Sequence, residues 1–297
     1  MRPRSPDPKS QASGGIQAVA VMTRLRLHWP EYLSEAGCLA TFMFSAAAVA
    51  TLLQHPASPW ALAVPPGIAE RAPMGLAMGL TAVAIVYSRM GQRSGAHMNP
   101  AVTLTFLRLG KIVPADAALY VLAQFIGGLA GIALGTTLLA GLPADPAVNY
   151  VATLPGRSGA AVAFVAEAAI SFGMMLLILT VANHPRFHRL TGVFAGILVF
   201  LYITFEAPLS GMSMNAARSL GPAVLAQALD SMWIYAIAPL GGMMLAGEVF
   251  VRRHGMARVF CAKLHHPRDL PCIFKCRHHE LAQLSAVTAL APREVSA

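Results

Sequence analysis

Six long apolar segments follow one another along the chain, and each is long enough to cross the hydrocarbon core of a bilayer. A crossing helix needs about 20 apolar residues. The segments cover residues 32–53, 73–90, 115–140, 160–182, 191–208 and 232–251.

Two shorter apolar pieces, 100–109 and 216–229, follow the second and fifth segments. They are too short to cross a bilayer and too apolar for ordinary loops. Backbone at membrane depth must be helical or shielded by protein. We therefore expect two re-entrant half-helices beside six transmembrane helices, in an all-α membrane protein.

The composition agrees with a chain that crosses the membrane several times. Of its 297 residues, 56% are hydrophobic and 12% are charged, and the mean hydropathy is +0.58. A soluble domain carries about 25% charged residues. Ahead of the first span, a short apolar run at 16–22 precedes Arg24 and Arg26. This run is too short for the core of a signal peptide, so we expect a disordered N-terminal tail.

The net charge of +9 raises the question of a nucleic-acid partner, and the placement of the basic residues answers it. Of the 22 Lys and Arg residues, only Arg71, Arg157 and Arg218 fall on one side of a six-span topology. Basic residues collect on the cytoplasmic side of membrane proteins. We therefore predict both termini in the cytoplasm, a plasma (cell inner) membrane location, contact with anionic lipid and no nucleic-acid partner.

The chain contains an internal repeat with three spans in each copy. Glu35 in the first span and Glu167 in the fourth are each a lone acid in an apolar helix, and each half has one half-helix after its second span. An odd number of spans inverts the second copy. Inverted repeats with broken helices place a permeation or binding site near the membrane midplane.

The predicted organisation has three parts. A cytoplasmic N-terminal tail covers 1–30, and a channel domain covers 31–251, with repeats at about 31–140 and 159–251. A basic cytoplasmic C-terminal tail containing Cys and His covers 252–297.

Two related motifs open the half-helices: SGAHMNPAVT at 94–103 and SMNAARSLGPA at 213–223. Asparagine is a strong N-cap, so Asn99 and Asn215 are predicted to start two helices near the bilayer centre. The helix dipole places about half a positive charge at each of these ends. Arg218 adds a full charge, and an arginine at membrane depth is by default functional.

These motifs make the chain resemble the aquaporin (major intrinsic protein) family over about residues 30–250. The first motif matches the family pattern through ten residues, whereas in the second Ala216 stands where the family usually has Pro. The resemblance implies a right-handed bundle and a homotetramer with one pore per subunit. It implies a central constriction formed by Asn99, Pro100, Ala101, Asn215, Ala216 and Ala217.

The resemblance also implies a selectivity filter. Arg218 belongs to it, and alignment adds Ile203, where water-selective members have His, and Met212. At the second-helix position one alignment gives Met78 and another gives Gly79. The filter Met78, Ile203, Met212 and Arg218 is more apolar than a strict water filter, and flexible Met side chains are able either to widen or to occlude it.

Two intramembrane acids and one loop histidine have two interpretations each. Glu35 and Glu167 are expected to bond the backbone of the re-entrant loops, as the resemblance implies, and a proton relay is the alternative. His97 either fixes the first loop by packing or lines the cytoplasmic vestibule.

The C-terminal tail holds a cluster of metal-ligating residue types. Thiolate and imidazole ligands suit zinc, but the spacing is not that of a common zinc module. A basic, lipid-binding tail is the simpler interpretation. The weak metal candidates are Cys261, His265, His266, Cys272 and Cys276.

We predict a passive channel that conducts water and excludes ions and protons. Ser219 follows Arg218 where glycerol facilitators usually carry Asp, which argues against that branch. The alternatives are a channel for a neutral solute (ammonia, urea, a metalloid hydroxide or glycerol), an ion-coupled transporter, and a non-conducting membrane protein. No nucleophile–base pair or phosphate loop is evident, so we expect neither catalysis nor a cofactor.

Overall fold

The computed structural model of the protein describes residues 8–65, 67–267 and 269–290, and in this part of the chain the regular structure is entirely helical. Six helical spans are long and apolar enough to cross a membrane, as predicted. The labelled helices are α1 (Pro8–Gln54), α2 (Ile68–Tyr87), α3 (Pro100–Arg108), α4 (Pro114–Leu138), α5 (Gly159–Ala182), α6 (Thr191–Leu201), α7 (Ala216–Leu225), α8 (Met232–His254) and α9 (His278–Leu290).

The boundaries of two spans differ from the predicted ones. The second was predicted over 73–90, but α2 ends at Tyr87 because Ser88 is extended and its hydroxyl caps the next short turn, Arg89–Ser94. The fifth was predicted over 191–208. There α6 ends at Leu201 and the chain continues through a π-helical turn, Tyr202–Glu206. Single π-turns inside helices frequently occur at functional sites.

The half-helices α3 and α7 lie where the short apolar pieces predicted them, and each packs against the other repeat. α7 packs on α4, and α3 packs on α8. The contact is close enough to require glycine: a Cβ added to Gly128 in α4 would lie 2.2 Å from the Ala217 carbonyl oxygen. The two repeats therefore interlock through their half-helices.

The first and third spans of each repeat also approach closely, at equivalent positions. A Cβ on Gly127 would lie 2.3 Å from the Ala36 carbonyl oxygen, and one on Gly242 would lie 2.2 Å from that of Ala168. Ala36 and Ala168 directly follow the two intramembrane glutamates. Small residues at such crossings let helix backbones meet in a membrane, and here they bring both glutamates into the interior.

The prediction of a disordered N-terminal tail was wrong for residues 8–27, which are helical and belong to α1. The helix is broken only at His28, whose φ is −118°. Asp116 at the start of α4 holds this region: it lies 3.0 Å from His28 Nδ1 and 3.8 Å from an Arg24 nitrogen, and accepts a 2.7 Å hydrogen bond from the Tyr32 hydroxyl. Residues 1–7 lie outside the described part of the chain.

The C-terminal tail does not extend away from the bundle as a lipid-binding segment would. After α8 ends at His254, residues 259–264 return to the bundle and are buried there, with Val259 and Ala262 fully buried and Lys263 3% exposed. Hydrogen bonds hold the segment, including one from the Phe260 N–H to Asn183 Oδ1 at 2.7 Å.

Candidate functional site: a cavity between the two half-helices

A cavity of about 130 Å³ lies inside the bundle, where the N-termini of α3 and α7 meet. Its wall brings together seven of the residues singled out from the sequence: Met78, His97, Asn99, Ile203, Met212, Asn215 and Arg218. Pro100, Ala101, Ala216 and Ala217 form the first turns of the half-helices behind the two asparagines.

Each asparagine caps its own half-helix. Asn99 Oδ1 accepts the Ala101 N–H at 2.9 Å, and Asn215 Oδ1 accepts the N–H groups of Ala217 at 3.0 Å and Arg218 at 3.2 Å. Both residues have extended backbones, as N-caps do. The side-chain amides are thereby fixed at the cavity wall, at the positive ends of two helix dipoles.

The same asparagines bond across the contact between the half-helices. Asn99 Nδ2 donates to the Met214 carbonyl and Asn215 Nδ2 donates to the Met98 carbonyl, each at 2.6 Å. An amide nitrogen carries two N–H groups. One N–H of each pair is used in this exchange, and both asparagines line the cavity.

The loops that lead into the half-helices share an unusual backbone. Ala96 and Met98 in the first loop, and Met212 and Met214 in the second, all have φ between 51° and 56°. For residues other than glycine, such φ values cost conformational free energy. They persist only where the surrounding structure holds the backbone in place.

The two intramembrane glutamates are part of these surroundings. Glu35 Oε1 accepts the Met98 N–H at 2.5 Å, and Glu167 Oε2 accepts the Met214 N–H at 2.7 Å. Glu167 Oε1 also accepts the Ser213 N–H at 2.6 Å. Both acids therefore bond the backbone of the loop that precedes an asparagine, which is the arrangement expected of a support for the loops.

One end of the cavity, here called the arginine end, contains Arg218. Its guanidinium donates to the hydroxyl of Thr153, in the connection between α4 and α5. The Ser219 hydroxyl lies 3.2 Å from the same oxygen. Thr153 thus fixes the direction of the arginine from a loop that the sequence analysis did not single out.

The two alignments assign different residues, Met78 or Gly79, to the filter position on the second span, α2. Met78 is 1% exposed to solvent and lies on the cavity wall. Gly79 instead faces α6, where an added Cβ would lie 2.6 Å from the Gly196 carbonyl oxygen. The geometry therefore favours Met78 as the residue that faces the cavity.

The opposite end, here called the tail end, is covered by the C-terminal segment. Leu264 lies on the cavity wall, and its N–H donates to the Gly95 carbonyl at 3.1 Å. His97 Nε2 lies 2.9 Å from the Ala262 carbonyl oxygen, so this nitrogen carries the proton. The His97 ring is stacked between Phe106 and Phe274, with 5.2 Å between centroids on each side.

Lys263 is buried beside this contact and has no counter-ion in hydrogen-bond distance among the described residues. Its ammonium donates to the carbonyl oxygens of Gln92 at 2.7 Å and Pro271 at 2.8 Å. Burial lowers the pKa of this ammonium, because removal from water disfavours the charged form. The two carbonyl bonds compensate part of that cost. The bond to Gln92 ties the tail to the short turn Arg89–Ser94, and the bond to Pro271 holds the tail on itself.

Sequence reasoning missed Thr153, Ala262 and Leu264. Thr153 is an ordinary polar residue in a loop, and only its distance to Arg218 distinguishes it. Ala262 acts through its carbonyl, which no sequence pattern reports. Leu264 is one apolar residue between two basic or polar ones, and a repeated apolar signal was absent there.

Comparison with known proteins places this architecture in a family. The profile described as "Major intrinsic protein" matches residues 22–250. The chain belongs to the major intrinsic protein family. Aquaporin NIP1-2 of Arabidopsis thaliana is 36% identical over 224 residues, which cover 74% of this chain and 69% of that protein.

A second relative and a solved structure are also similar to this chain. The glycerol uptake facilitator protein-like 6 of Lactiplantibacillus plantarum is 35% identical over 181 residues, which cover 58% of this chain and 81% of the relative. The crystal structure of an aquaglyceroporin from Plasmodium falciparum superposes with a TM-score of 0.60 at 19% identity, over 75% of this chain and 95% of that one, and shares the fold. The chain spans about three fifths of the length of several other major intrinsic protein relatives.

Proposed function

We propose that the protein is a passive channel that conducts water and small uncharged solutes along the cavity between the half-helices. The observation that carries the proposal is the meeting of Asn99 and Asn215 at one cavity wall, with Arg218 at one end. Membership in a family whose members are named aquaporins and glycerol facilitators supports it.

The arrangement favours neutral permeants for an electrostatic reason. Two helix N-termini face the cavity, and each presents about half a positive charge. Arg218 adds a full charge in a region with little water, where electrostatic interactions are weakly screened. Cations and protons that enter meet three positive sources, whereas a water molecule accepts hydrogen bonds from the asparagine amides.

Water is the permeant we put first. The proposed filter consists of Met78, Ile203, Met212 and Arg218, so a permeant loses part of its hydration against apolar walls and keeps one strong donor. The apolar character of Met78, Ile203 and Met212 favours a second candidate, a channel for a neutral solute such as glycerol, urea, ammonia or a metalloid hydroxide. We expect no catalysis and no coupling to an ion gradient.

The proposal includes orientation and assembly. With six spans both termini lie on the same side of the membrane, and the distribution of basic residues assigns that side to the cytoplasm. The arginine end then faces outward and the tail end faces the cytoplasm, here in the plasma (cell inner) membrane. We propose a homotetramer with one pore in each subunit, as the family resemblance implies.

Stopped-flow light scattering on proteoliposomes tests the permeant. An impermeant osmolyte drives water out and the vesicles shrink, whereas a glycerol or urea gradient produces shrinkage followed by re-swelling if the solute passes. We expect water efflux faster than from empty liposomes, with slow re-swelling. Fast re-swelling with glycerol or urea would assign the channel to a neutral solute, and a flux that depends on a proton or sodium gradient would contradict a passive channel.

A further inference from the structure

The tail end of the cavity is covered by residues 259–277, here called the cap segment. Ala262 and Leu264 make the two contacts nearest the cavity, through His97 and Gly95. Gly95 is pressed against this segment: a Cβ added there would lie 3.0 Å from the Phe274 ring. The cap segment therefore contributes to the cavity wall at this end, through Leu264.

In the described residues of the cap segment, 259–267 and 269–277, there are bends but no helix or strand, yet the segment is folded tightly on itself. Four metal-ligating side chains lie at its centre, and their ligand atoms are all within 4.8 Å of one another. They are Cys261, His266, Cys272 and Cys276. Of the five candidates considered from the sequence, only His265 is outside this group. Its ring packs against that of Tyr87, with 4.8 Å between the ring centroids.

Two of the distances within this group are close to those of a tetrahedral zinc site, and a small movement of the side chains around an ion would bring in the rest from within 4.8 Å. With zinc–sulfur bonds of about 2.3 Å and zinc–nitrogen bonds of about 2.0–2.1 Å, sulfurs on a tetrahedron lie about 3.8 Å apart and sulfur and nitrogen about 3.5 Å apart. Cys261 Sγ and Cys272 Sγ are 3.6 Å apart, and Cys276 Sγ is 3.2 Å from His266 Nε2. Three thiolates and one imidazole form one of the usual ligand sets of structural zinc.

Two backbone groups beside the cluster make the contacts that protein groups usually make to the ligands of a bound metal ion. His266 Nδ1 lies 2.8 Å from the Pro267 carbonyl oxygen, which only accepts, so this nitrogen carries the proton and the lone pair of Nε2 faces Cys276. Such a bond to the second ring nitrogen orients metal-ligating histidines. The His278 N–H points at Cys276 Sγ at 3.4 Å.

Charge also favours an ion in this position. Zn²⁺ with three thiolates has a net charge of −1, and two lysines lie near the thiols. Lys263 is two residues from Cys261, and Lys111 lines the same pocket as Cys276. Both lysines are buried. A negatively charged centre near them offsets part of the cost of burying two cations.

We propose that Cys261, His266, Cys272 and Cys276 bind one zinc ion, and that this ion holds the cap segment over the tail end of the cavity. Binding replaces the three thiol protons, which pass to solvent, and forms three Zn–S bonds and one Zn–N bond. Loss of the ion frees the cap segment and uncovers the cavity. The second half of the proposal, control of flux, rests on the proposed channel function.

Metal binding is tested on the full-length protein in detergent, purified under reducing conditions. Elemental analysis after dialysis against Zn²⁺ is expected to give about one zinc per chain, and Co²⁺ is expected to give the visible absorption of a tetrahedral thiolate site. His266→Asn is expected to weaken binding by more than about tenfold, and the neighbouring His265→Asn to leave it unchanged. Absence of zinc from the wild type, equal binding by both variants, or a Cys261–Cys272 disulfide by mass spectrometry would overturn the site.

Closure of the cap is tested by trypsin cleavage after Lys263, which does not depend on channel activity. Lys263 is 3% exposed, so cleavage requires the cap segment to detach. We expect removal of zinc by a chelator, or His266→Asn, to speed this cleavage by about tenfold or more, and His265→Asn with zinc to stay protected. Equal cleavage with and without zinc would show that the ion does not hold the cap.

Osmotic water flux completes the test. In proteoliposomes we expect several-fold faster water flux after chelation than with zinc bound, and no such difference in His266→Asn. Zinc binding and protection from trypsin with identical flux in both states would overturn the control of flux. If no form conducts, the channel function fails, while the zinc stoichiometry and the trypsin result still decide the site itself.

Discussion

Asn99 and Asn215 exchange hydrogen bonds across the centre of the molecule: each side-chain amide donates at 2.6 Å to the carbonyl of the residue that precedes the other. Each amide at the same time caps its own half-helix through its oxygen. The two half-helices are therefore joined by their caps. A change at either asparagine affects the electrostatics of the cavity and the contact between the repeats together.

Asn215→Asp is expected to admit cations. The carboxylate still accepts the N–H groups of Ala217 and Arg218, but it places a negative charge where two dipoles meet and loses the donor to the Met98 carbonyl. We expect a several-fold faster proton leak, measured with an internal pH-sensitive dye in proteoliposomes. Asn149→Asp, the same change in the loop between α4 and α5, is the control. Equal leaks in the two variants would contradict an electrostatic barrier at Asn215.

Glu167→Gln is expected to destabilise the protein more than Glu35→Gln. Glu167 accepts bonds on both oxygens, so glutamine must turn an N–H toward a backbone N–H, at a cost of about 1–3 kcal/mol. Glu35 accepts both of its bonds on Oε1, and a glutamine oxygen is able to keep them. Thermal unfolding in detergent measures the difference.

A lower melting temperature for Glu35→Gln than for Glu167→Gln would show that the hydrogen bonds of Glu167 are not the source of its contribution to stability. If instead either variant removed a proton dependence of flux, the glutamate concerned would be a proton relay.

Ala216→Pro is expected to stabilise the protein by about 0.4–1 kcal/mol. Position 216 is the first residue of α7, where proline is favoured, and the extended backbone of Asn215 suits a residue that precedes proline. Ala217→Pro is the matched control, and we expect it to destabilise because the Ala217 N–H bonds Asn215 Oδ1. Melting temperatures that fall equally for both variants would contradict this account of the half-helix start.

Met78→Ala is expected to widen the proposed filter and to speed glycerol re-swelling relative to water efflux. Met78 faces the cavity, so shortening it removes part of the wall. Gly79→Ala should instead lower stability by about 1–3 kcal/mol, since the new methyl group meets the Gly196 carbonyl. A larger change in selectivity from Gly79→Ala than from Met78→Ala would assign the filter position to Gly79.

Hydropathy and the two motifs were sufficient to predict the architecture. The spans follow from run length, and the half-helices follow from short apolar pieces that begin with asparagine. Pairing of the two repeats places Glu35 and Glu167 in equivalent positions from the sequence pattern alone. These features depend on local sequence or on symmetry, which is why they are predictable.

The remaining features depend on contacts between distant segments. The helix before His28 depends on Asp116, 88 residues away, and the direction of Arg218 depends on Thr153. In sequence, the cap segment has the pattern of a charged tail because its apolar residues are scattered. Its folding depends on side chains that are separated along the chain and lie together only in the folded protein. Composition assigned it to the membrane surface, whereas the structure places it at the mouth of the cavity.

The most direct test of the proposed function is the osmotic water permeability of proteoliposomes containing the protein after treatment with a chelator, measured over a range of temperatures. The control is Ile203→Trp, whose larger side chain is expected to fill the cavity at the proposed filter and to block the pore. The account predicts water flux well above that of empty liposomes, with a weak temperature dependence, and its loss in Ile203→Trp. Flux equal to that of empty liposomes, or a strong temperature dependence unchanged by Ile203→Trp, would contradict a water channel.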